Sequence, residues 1–421
     1  DHERFIDRGI PTANGKPVDA LKDVVFGTSD INLTTLEADI FRGIVTTELS
    51  DTSKAIFSLT SSEFEKLYQN LYASGYDLAT NVVTLDGYRD PTERENLIFS
   101  ANLVNELQIG GATHTLLIGA EVVDTDNKNE RYDTYWSTTQ KDKESFNVSR
   151  PLNIATNSAG VATSVDFTTK LKSRTTSDIE VTSFYIQDQV DLTDNLILVL
   201  GGRHDTFDVT VDDIKNGTSA AREDSEFSPR MGVIFKPRDA VSVYYSYSES
   251  FAPRSGEQYK KLTGGSPGSG ETLRPDYFEN TELGVKVDLS SDLSLTAAYF
   301  DSEADKAGYD GSSAEYIVER GLVVDGIELE LKGKVNDNLD VTFGYTSMEG
   351  KNGTKNAREI PETMYSLWAN YEVNPKLGWA VGVMHQGESL IKDGGTQMLP
   401  DYTRVDAAVY LMLSDDFRLQ V

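Results

Sequence analysis

The chain contains no cysteine, which excludes a disulfide framework and Cys-ligated zinc and suits passage through an oxidising compartment. Nowhere does it hold the roughly 18 consecutive apolar residues of a spanning helix. Basic residues are scarce beside acidic ones, 39 against 68, and the formal net charge of −29 opposes binding to a phosphate backbone. No nucleic-acid partner is therefore expected. The four histidines, His2, His114, His204 and His385, are scattered without metal-ligand spacing. Nucleophile elbows, paired catalytic carboxylates and phosphate loops are all missing, so the chain does not read as an enzyme and needs no cofactor. Residues 1–4 (Asp-His-Glu-Arg) form neither a basic nor an apolar leader segment.

Hydrophobic types make up only 38% of 421 residues, little for a packed core of that length. The composition suits a membrane barrel, whose strands need about 9–11 residues with every second one facing lipid. Twenty tyrosines supply rings that favour a lipid–water boundary. The positive signal is alternation with period two. Val241, Val243, Tyr245 and Tyr247 alternate with Ser242, Tyr244, Ser246 and Ser248, and Leu283, Val285, Val287 and Leu289 with Glu282, Gly284, Lys286 and Asp288. Leu293–Tyr299 and Val405–Leu413 repeat the pattern, each with one apolar face and one that tolerates charge.

Connections alternate in size. Short polar turns recur, among them Ser50-Asp51-Thr52, Gly110-Gly111, Thr193-Asp194-Asn195 and Asn374-Pro375-Lys376. Between them, polar stretches at roughly 72–91, 126–176, 212–224, 254–273, 304–315 and 349–359 are expected as long loops. Tight turns on one side and long loops on the other characterise outer-membrane barrels. The count is roughly 16 strands in an antiparallel up-and-down transmembrane β-barrel. A soluble sandwich rarely sustains so many strands with an apolar face, and no propeller-blade repeat is present.

Several segments, in order along nearly the whole chain, resemble the barrel of TonB-dependent siderophore receptors. They include Asp7-Arg8-Gly9-Ile10-Pro11, His114-Thr115-Leu116-Leu117-Ile118-Gly119-Ala120-Glu121, and Tyr185-Ile186-Gln187-Asp188 with Gly201-Gly202-Arg203-His204-Asp205. Phe227-Ser228-Pro229-Arg230 leads to Tyr244–Pro253 and then to Arg254-Ser255-Gly256-Glu257-Gln258. Gly326-Ile327-Glu328 and Tyr402-Thr403-Arg404-Val405-Asp406 complete the series, while Glu319–Asp325 departs from the family's Gln/Arg-rich approach to the Gly-x-Glu. The resemblance implies a barrel of 22 strands around a plug. Residues 1–421 would then be a barrel fragment truncated at both ends, lacking the N-terminal plug, the first strands and the final strand. It also implies a monomer in outer-membrane lipid of a Gram-negative cell, importing a ferric siderophore with energy from the TonB–ExbB–ExbD complex. Haem, cobalamin or an oligosaccharide as cargo, or a passive porin or adhesin barrel, remain alternatives.

Two groups of candidate residues follow. Asp188, Arg203, Asp205, Arg230, Glu282 and Lys286, with Glu328, Arg404 and Asp406, are expected to face the lumen and to meet the plug or pair with one another. Arg8, Tyr88, Arg89, Tyr132 and Trp136, with Phe251, Arg254, Gln258 and Tyr259, are expected to contact ligand, and Arg131 and Tyr135 join them. Arginine charge and aromatic faces suit an anionic, aromatic ferric catecholate. The same residue types also serve as surface girdle or loop packing. Asp124-Thr125-Asp126-Asn127 with Glu130 and Asp133 superficially resembles a calcium loop but lacks its turn glycine. The alternation predicts that Val243, Val285, Leu295 and Val409 share one face, and Arg203, Glu282, Lys286 and Asp406 the other.

Overall fold

In the computed structural model, residues 2–5, 9–252, 275–310, 315–414 and 417–421 are described, with the backbone alone at 2–5, 306–310 and 315–320. The chain opens with β1 (His2–Phe5), β2 (Thr12–Ala13), β3 (Lys16–Pro17) and a 3-10 turn at Asp19–Leu21. Four long strands follow: β4 (Leu33–Ser50), β5 (Ser53–Asp77), β6 (Val82–Ile109) and β7 (Ala112–Trp136). After β8 (Glu144–Asn147) come β9 (Val165–Thr193), β10 (Leu196–Asp213), β11 (Thr218–Arg238) and β12 (Val241–Ala252). Next are β13 (Asp276–Asp288), β14 (Leu293–Asp310), β15 (Glu315–Asn336), β16 (Leu339–Asn352) and β17 (Lys355–Asn356). The last are β18 (Thr363–Asn374), β19 (Leu377–Gln386), β20 (Ser389–Leu390), β21 (Met398–Leu399), β22 (Tyr402–Ser414) and β23 (Phe417–Gln420).

Sixteen of these strands, β4–β7, β9–β16, β18, β19, β22 and β23, pair antiparallel in chain order; with β1, β8 and β17 they make the 19-stranded sheet. Only turns of a few residues join its lower ends, as at 51–52, 110–111 and 194–195. The sheet is not closed: no ladder joins β23 to β4 among the described residues.

The upper ends differ from the expected loops. β5 and β6 run through most of 72–91, leaving only 78–81 between them, and β10 and β11 leave only 214–217. β14 and β16 likewise continue into the stretches at 304–315 and 349–359, whereas 254–273 lies outside the described residues. Polar composition does not end a strand where the partner strand continues and the ladder still satisfies every N–H and C=O. β6 and β9, at 28 and 29 residues, are about three times the length that a bilayer requires.

Register sorts the side chains into two faces. Val243 stands opposite Val285, Val287 opposite Leu295, Leu295 opposite Leu331, and Trp379 opposite Val409. This face carries exposed Leu283, Tyr299, Ile327, Phe184 and Phe227, as a lipid-facing surface must. On the other face Ser242 pairs with Lys286, Glu282 with Phe300, Ala298 with Glu328 and Gly382 with Asp406. Two glycines there accommodate close approach. A Cβ at Gly119 would lie 2.1 Å from the Tyr185 ring, and one at Gly284 would lie 2.4 Å from Tyr244. Both rings lie across the wall, and any larger residue would lift them.

The apolar packing is concentrated at the upper tips. Leu71, Val83, Leu85 and Trp136 close on Phe26, Phe146 and Leu152, so the segment before β4 and the loop after β7 are folded together against β5–β7. Asn32 fastens the first of these, donating from Nδ2 to the Leu71 carbonyl (2.9 Å) and accepting from its N–H (3.3 Å).

An arginine at Val285, midway up the apolar face, is expected to destabilise the folded protein by about 2–4 kcal/mol, the cost of a cation near the bilayer midplane. Lys286→Gln, one residue away on the opposite face, should cost less than about 1 kcal/mol, the scale of an exposed cation over a ring, as Lys286 lies over Tyr244. Urea unfolding in lipid vesicles measures both; equal costs would contradict the facial assignment.

Candidate functional site

The polar face collects its charges into local networks. Arg203 on β10 donates from Nε to Asp205 Oδ1 (2.7 Å) and from Nη2 to Glu121 Oε1 (2.8 Å) and to Ser183 Oγ (2.6 Å). It lies over the Tyr185 ring at 5.2 Å, and the Tyr185 hydroxyl donates to Asn102 (2.7 Å). Asp205 is 6% exposed and Ser183 fully buried; the Ser183 hydroxyl donates to Asp205 Oδ1 (2.5 Å), and Arg203 bonds both, so the three satisfy one another. Across the same face Tyr244 donates to Glu282, and Lys286 sits over the Tyr244 ring at 5.5 Å. Arg404 donates to Asp406 (2.8 Å).

A cavity of about 700 Å³ opens on this wall. Arg203, Asp205, Arg230 and Phe207 line it together with Ser250 and Phe251. Phe251 meets Phe207 edge-on with centroids 5.2 Å apart. Residues chosen separately from the sequence, as lumenal charges and as a ligand contact, thus meet at one surface.

Other expectations are corrected. Asp188 pairs with Leu200 and Leu116 and so shares the lipid-facing side with Ile186; there its Oδ2 meets His114 Nδ1 at 2.7 Å. It sits one residue from Gln187 on the polar side, and the hydrophilic run 187–189 gave no cue to parity. Trp136 is 0% exposed, packed on Phe146 at 5.0 Å within the tip cluster, and cannot meet ligand. Arg89 and Tyr132 stand opposite each other, with Arg89 5.8 Å over the ring, on the face opposite to Tyr88 and Asp133. Arg8, Arg254, Gln258 and Tyr259 lie outside the described residues. In the calcium-like run, β7 alternates its faces: Asp124 and Asp126 are exposed on one side, Thr125 and Asn127 buried on the other.

Sequence reasoning missed how charge is distributed above the apolar band. On the outer face Asp39, Glu63, Glu95, Asp126 and Asp178 stand side by side in register across five strands. Asp124, Glu180, Asp208 and Glu223 form the row beneath. Farther round the sheet are Glu279 and Glu303, and Asp301, Asp325 and Glu349. Burial, then the charges of Asp126 and Asp124, push the Asp178 carboxyl above the usual range. The inner face of the same extensions carries cations and tyrosines. Arg131 lies 4.1 Å from the Tyr88 ring centre and bonds Asp90 (2.9 Å), Lys66 stands over Tyr68 at 5.1 Å, and Lys170 over Tyr135 at 5.2 Å. Strict alternation in the sequence, Glu63-Phe64-Glu65-Lys66 and Glu93-Arg94-Glu95-Asn96, was the available signal.

Comparison with known proteins places these features. Residues 13–421 match the family model described as TonB dependent receptor-like, beta-barrel. Among curated relatives, the probable TonB-dependent siderophore receptor PiuA of Acinetobacter baumannii is 24% identical, the match covering 99% of this chain and 60% of the relative. The ferrioxamine receptor of Yersinia enterocolitica is 26% identical over 84% of this chain and 48% of its own length. This chain therefore spans less than two thirds of either. Among solved structures, the siderophore receptor PiuA from Acinetobacter baumannii superposes with a TM-score of 0.83 at 20% identity, covering 99% of this chain and 65% of that one. The ferric-catecholate import receptor Fiu of Escherichia coli K12, in its closed form, does so at 0.78 and 17% with the same coverages.

Trp136→Ala is expected to cost about 3–5 kcal/mol locally. Limited proteolysis should then cut the loops around 20 and 150 while leaving the membrane-level strands intact. Protection unchanged from wild type would contradict the packing role. Because the Asp178 carboxyl is raised in the folded state, its charge opposes folding at neutral pH, and stability is gained as pH falls through the raised value. Asp178→Asn should therefore slow hydrogen exchange around β9 residues 176–180 at neutral pH, with the gain fading on acidification. A gain that persists at low pH would contradict the assignment.

Proposed function

This chain belongs to the TonB dependent receptor-like β-barrel family of the Gram-negative outer membrane, and from that premise we propose that the protein it forms imports a ferric siderophore. The relatives it matches are receptors and transporters rather than enzymes. The observation that carries the reading is the wall itself: an apolar face for lipid backed by a polar face built of ion pairs, with a cavity lined by Arg203, Arg230 and Phe251. A lumen so lined can hold a polar plug and pass a hydrated chelate, whereas lipid cannot enter it.

In this reading residues 1–421 are the barrel part, and a plug domain completes the protein. Arg203, Asp205, Arg230, Glu282, Lys286, Glu328, Arg404 and Asp406 form the wall that meets it. Each already has a polar or aromatic neighbour or an open lumen, so a moving domain can exchange partners with them at little net cost. The TonB–ExbB–ExbD complex supplies the energy through that domain. The ligand is of the ferric catecholate class, which Tyr88 and Phe251 suit, with Arg8, Arg254, Gln258 and Tyr259 as further contacts from the sequence. Fiu, whose fold this chain shares, is a receptor for import of such a chelate, which supports this choice.

Deleting the gene in an iron-starved host should abolish uptake of radio-iron presented as a ferric catecholate, and the full-length gene should restore it. Unchanged uptake across ferric siderophores of every class would sink the importer. Restoration for an uncharged chelate alone would move the ligand class and leave the importer standing.

A further inference from the structure

We propose that His114 and Asp188, paired on the lipid-facing side of β7 and β9 near the lower turns, form a binding site for an aminophospholipid headgroup, the carboxylate taking its primary ammonium.

The pair stands where the wall has no structural need of charge. Leu116 and Leu200 lie opposite Asp188, and Leu107 and Val190 lie opposite His114. Leu107, Leu200 and the nearby Ile118 and Ile186 are exposed, so this ground is apolar and faces lipid. Ionisable groups in such surroundings are costly, and for stability alone two well-packed leucines would serve as well or better. Their presence points to a partner outside the wall.

The contacts show what that partner must bring. Asp188 Oδ2 meets His114 Nδ1 at 2.7 Å, and Nδ1 is the donor because a carboxylate only accepts. Asp188 Oδ1 has no hydrogen-bond partner. Among the described residues, neither side chain makes a further ion pair or hydrogen bond. An ionised carboxylate offers about four acceptor sites, so one donor leaves it far from satisfied. Acyl chains carry no donor at all. The Asp188 side chain is 30% exposed and that of His114 19%, which gives a headgroup access from the lipid side.

Depth in the membrane narrows the chemistry. His114 follows the Gly110-Gly111 turn by three residues, about 10 Å along the strand, and strand tilt brings it nearer the boundary still. Short turns mark the periplasmic side of such barrels, so the pair sits at the margin of the inner leaflet, within reach of phospholipid headgroups. A phosphate alone would bring an anion to a carboxylate. A primary ammonium brings opposite charge and three donors. Across the ring from the carboxylate, His114 Nε2 can donate to the phosphodiester of the same headgroup once the imidazole carries both protons. A trimethylated ammonium keeps the charge but has no N–H to give.

The test uses the complete receptor, plug included. In detergent it is offered equal amounts of phosphatidylethanolamine, phosphatidylcholine and phosphatidylglycerol with the same acyl chains, and bound lipid is read by native mass spectrometry. The wild type should hold one phosphatidylethanolamine about tenfold more tightly than either competitor, the scale of one charge-assisted hydrogen bond. Asp188→Asn should bring that preference within about twofold of none, and His114→Gln should weaken it about threefold. The double variant His114→Leu, Asp188→Leu should keep the heat-modifiable gel shift of a folded barrel and unfold no faster than wild type in phosphatidylcholine vesicles, yet show no preference. Much faster unfolding of that variant would make the pair structural and overturn the site. So would equal retention of the three lipids by the wild type, or an undiminished preference in Asp188→Asn. A receptor dimer that holds no lipid and that Asp188→Asn dissolves would overturn the headgroup in favour of a second copy.

Discussion

Every backbone N–H and C=O that crosses hydrocarbon must find its partner inside the protein, and for strands this leaves only lateral pairing with the next strand. The rest of the structure follows from that obligation. Pairing in chain order fixes the meander, the meander fixes register, and register decides which of two faces each side chain occupies. One face must then satisfy lipid along its whole middle, which is why Val287, Leu295 and Leu331 stand side by side in three successive strands and Trp379 stands beside Val409 farther round. The other face is free to be polar. The networks around Arg203 and Glu282 use that freedom without exposing charge to hydrocarbon.

The fold was legible because period-two alternation survives wherever lipid enforces it. Sixteen principal strands were expected and sixteen are found, and the four residues chosen for each face stand where alternation put them. Legibility fails above the bilayer. There both faces can be polar, so a strand such as the end of β6 has the composition of a loop, and its extent depends on whether β5 and β7 continue beside it. Asp188 failed for a related reason: with Gln187 and Gln189 on either side, hydrophilicity alone cannot assign parity, and only its pairing with Leu200 does so. Trp136 looked like a ligand contact because an aromatic in a polar loop usually is one or packs; its partners Phe26 and Phe146 are too distant in sequence to reveal which.

The charge pattern shows a second use of alternation. In the membrane it separates apolar from polar; above the membrane the same geometry separates anion from cation. Like charges in register weaken the ladder locally; at Asp178 burial first, and then the neighbouring Asp126 and Asp124, push the carboxyl up. The extensions tolerate this because their tips are tied by the Trp136 cluster and by Asn32, so the ladder is anchored at both ends.

The glycines beneath aromatic rings bear on how a moving body would pass. With Gly119 under Tyr185 and Gly284 under Tyr244, the rings lie flat like tiles along the bore instead of projecting into it. A domain sliding past such a lining meets broad, shallow surfaces that it can leave as easily as it joins. A side chain as modest as valine at either position would push its ring off the wall and into the bore.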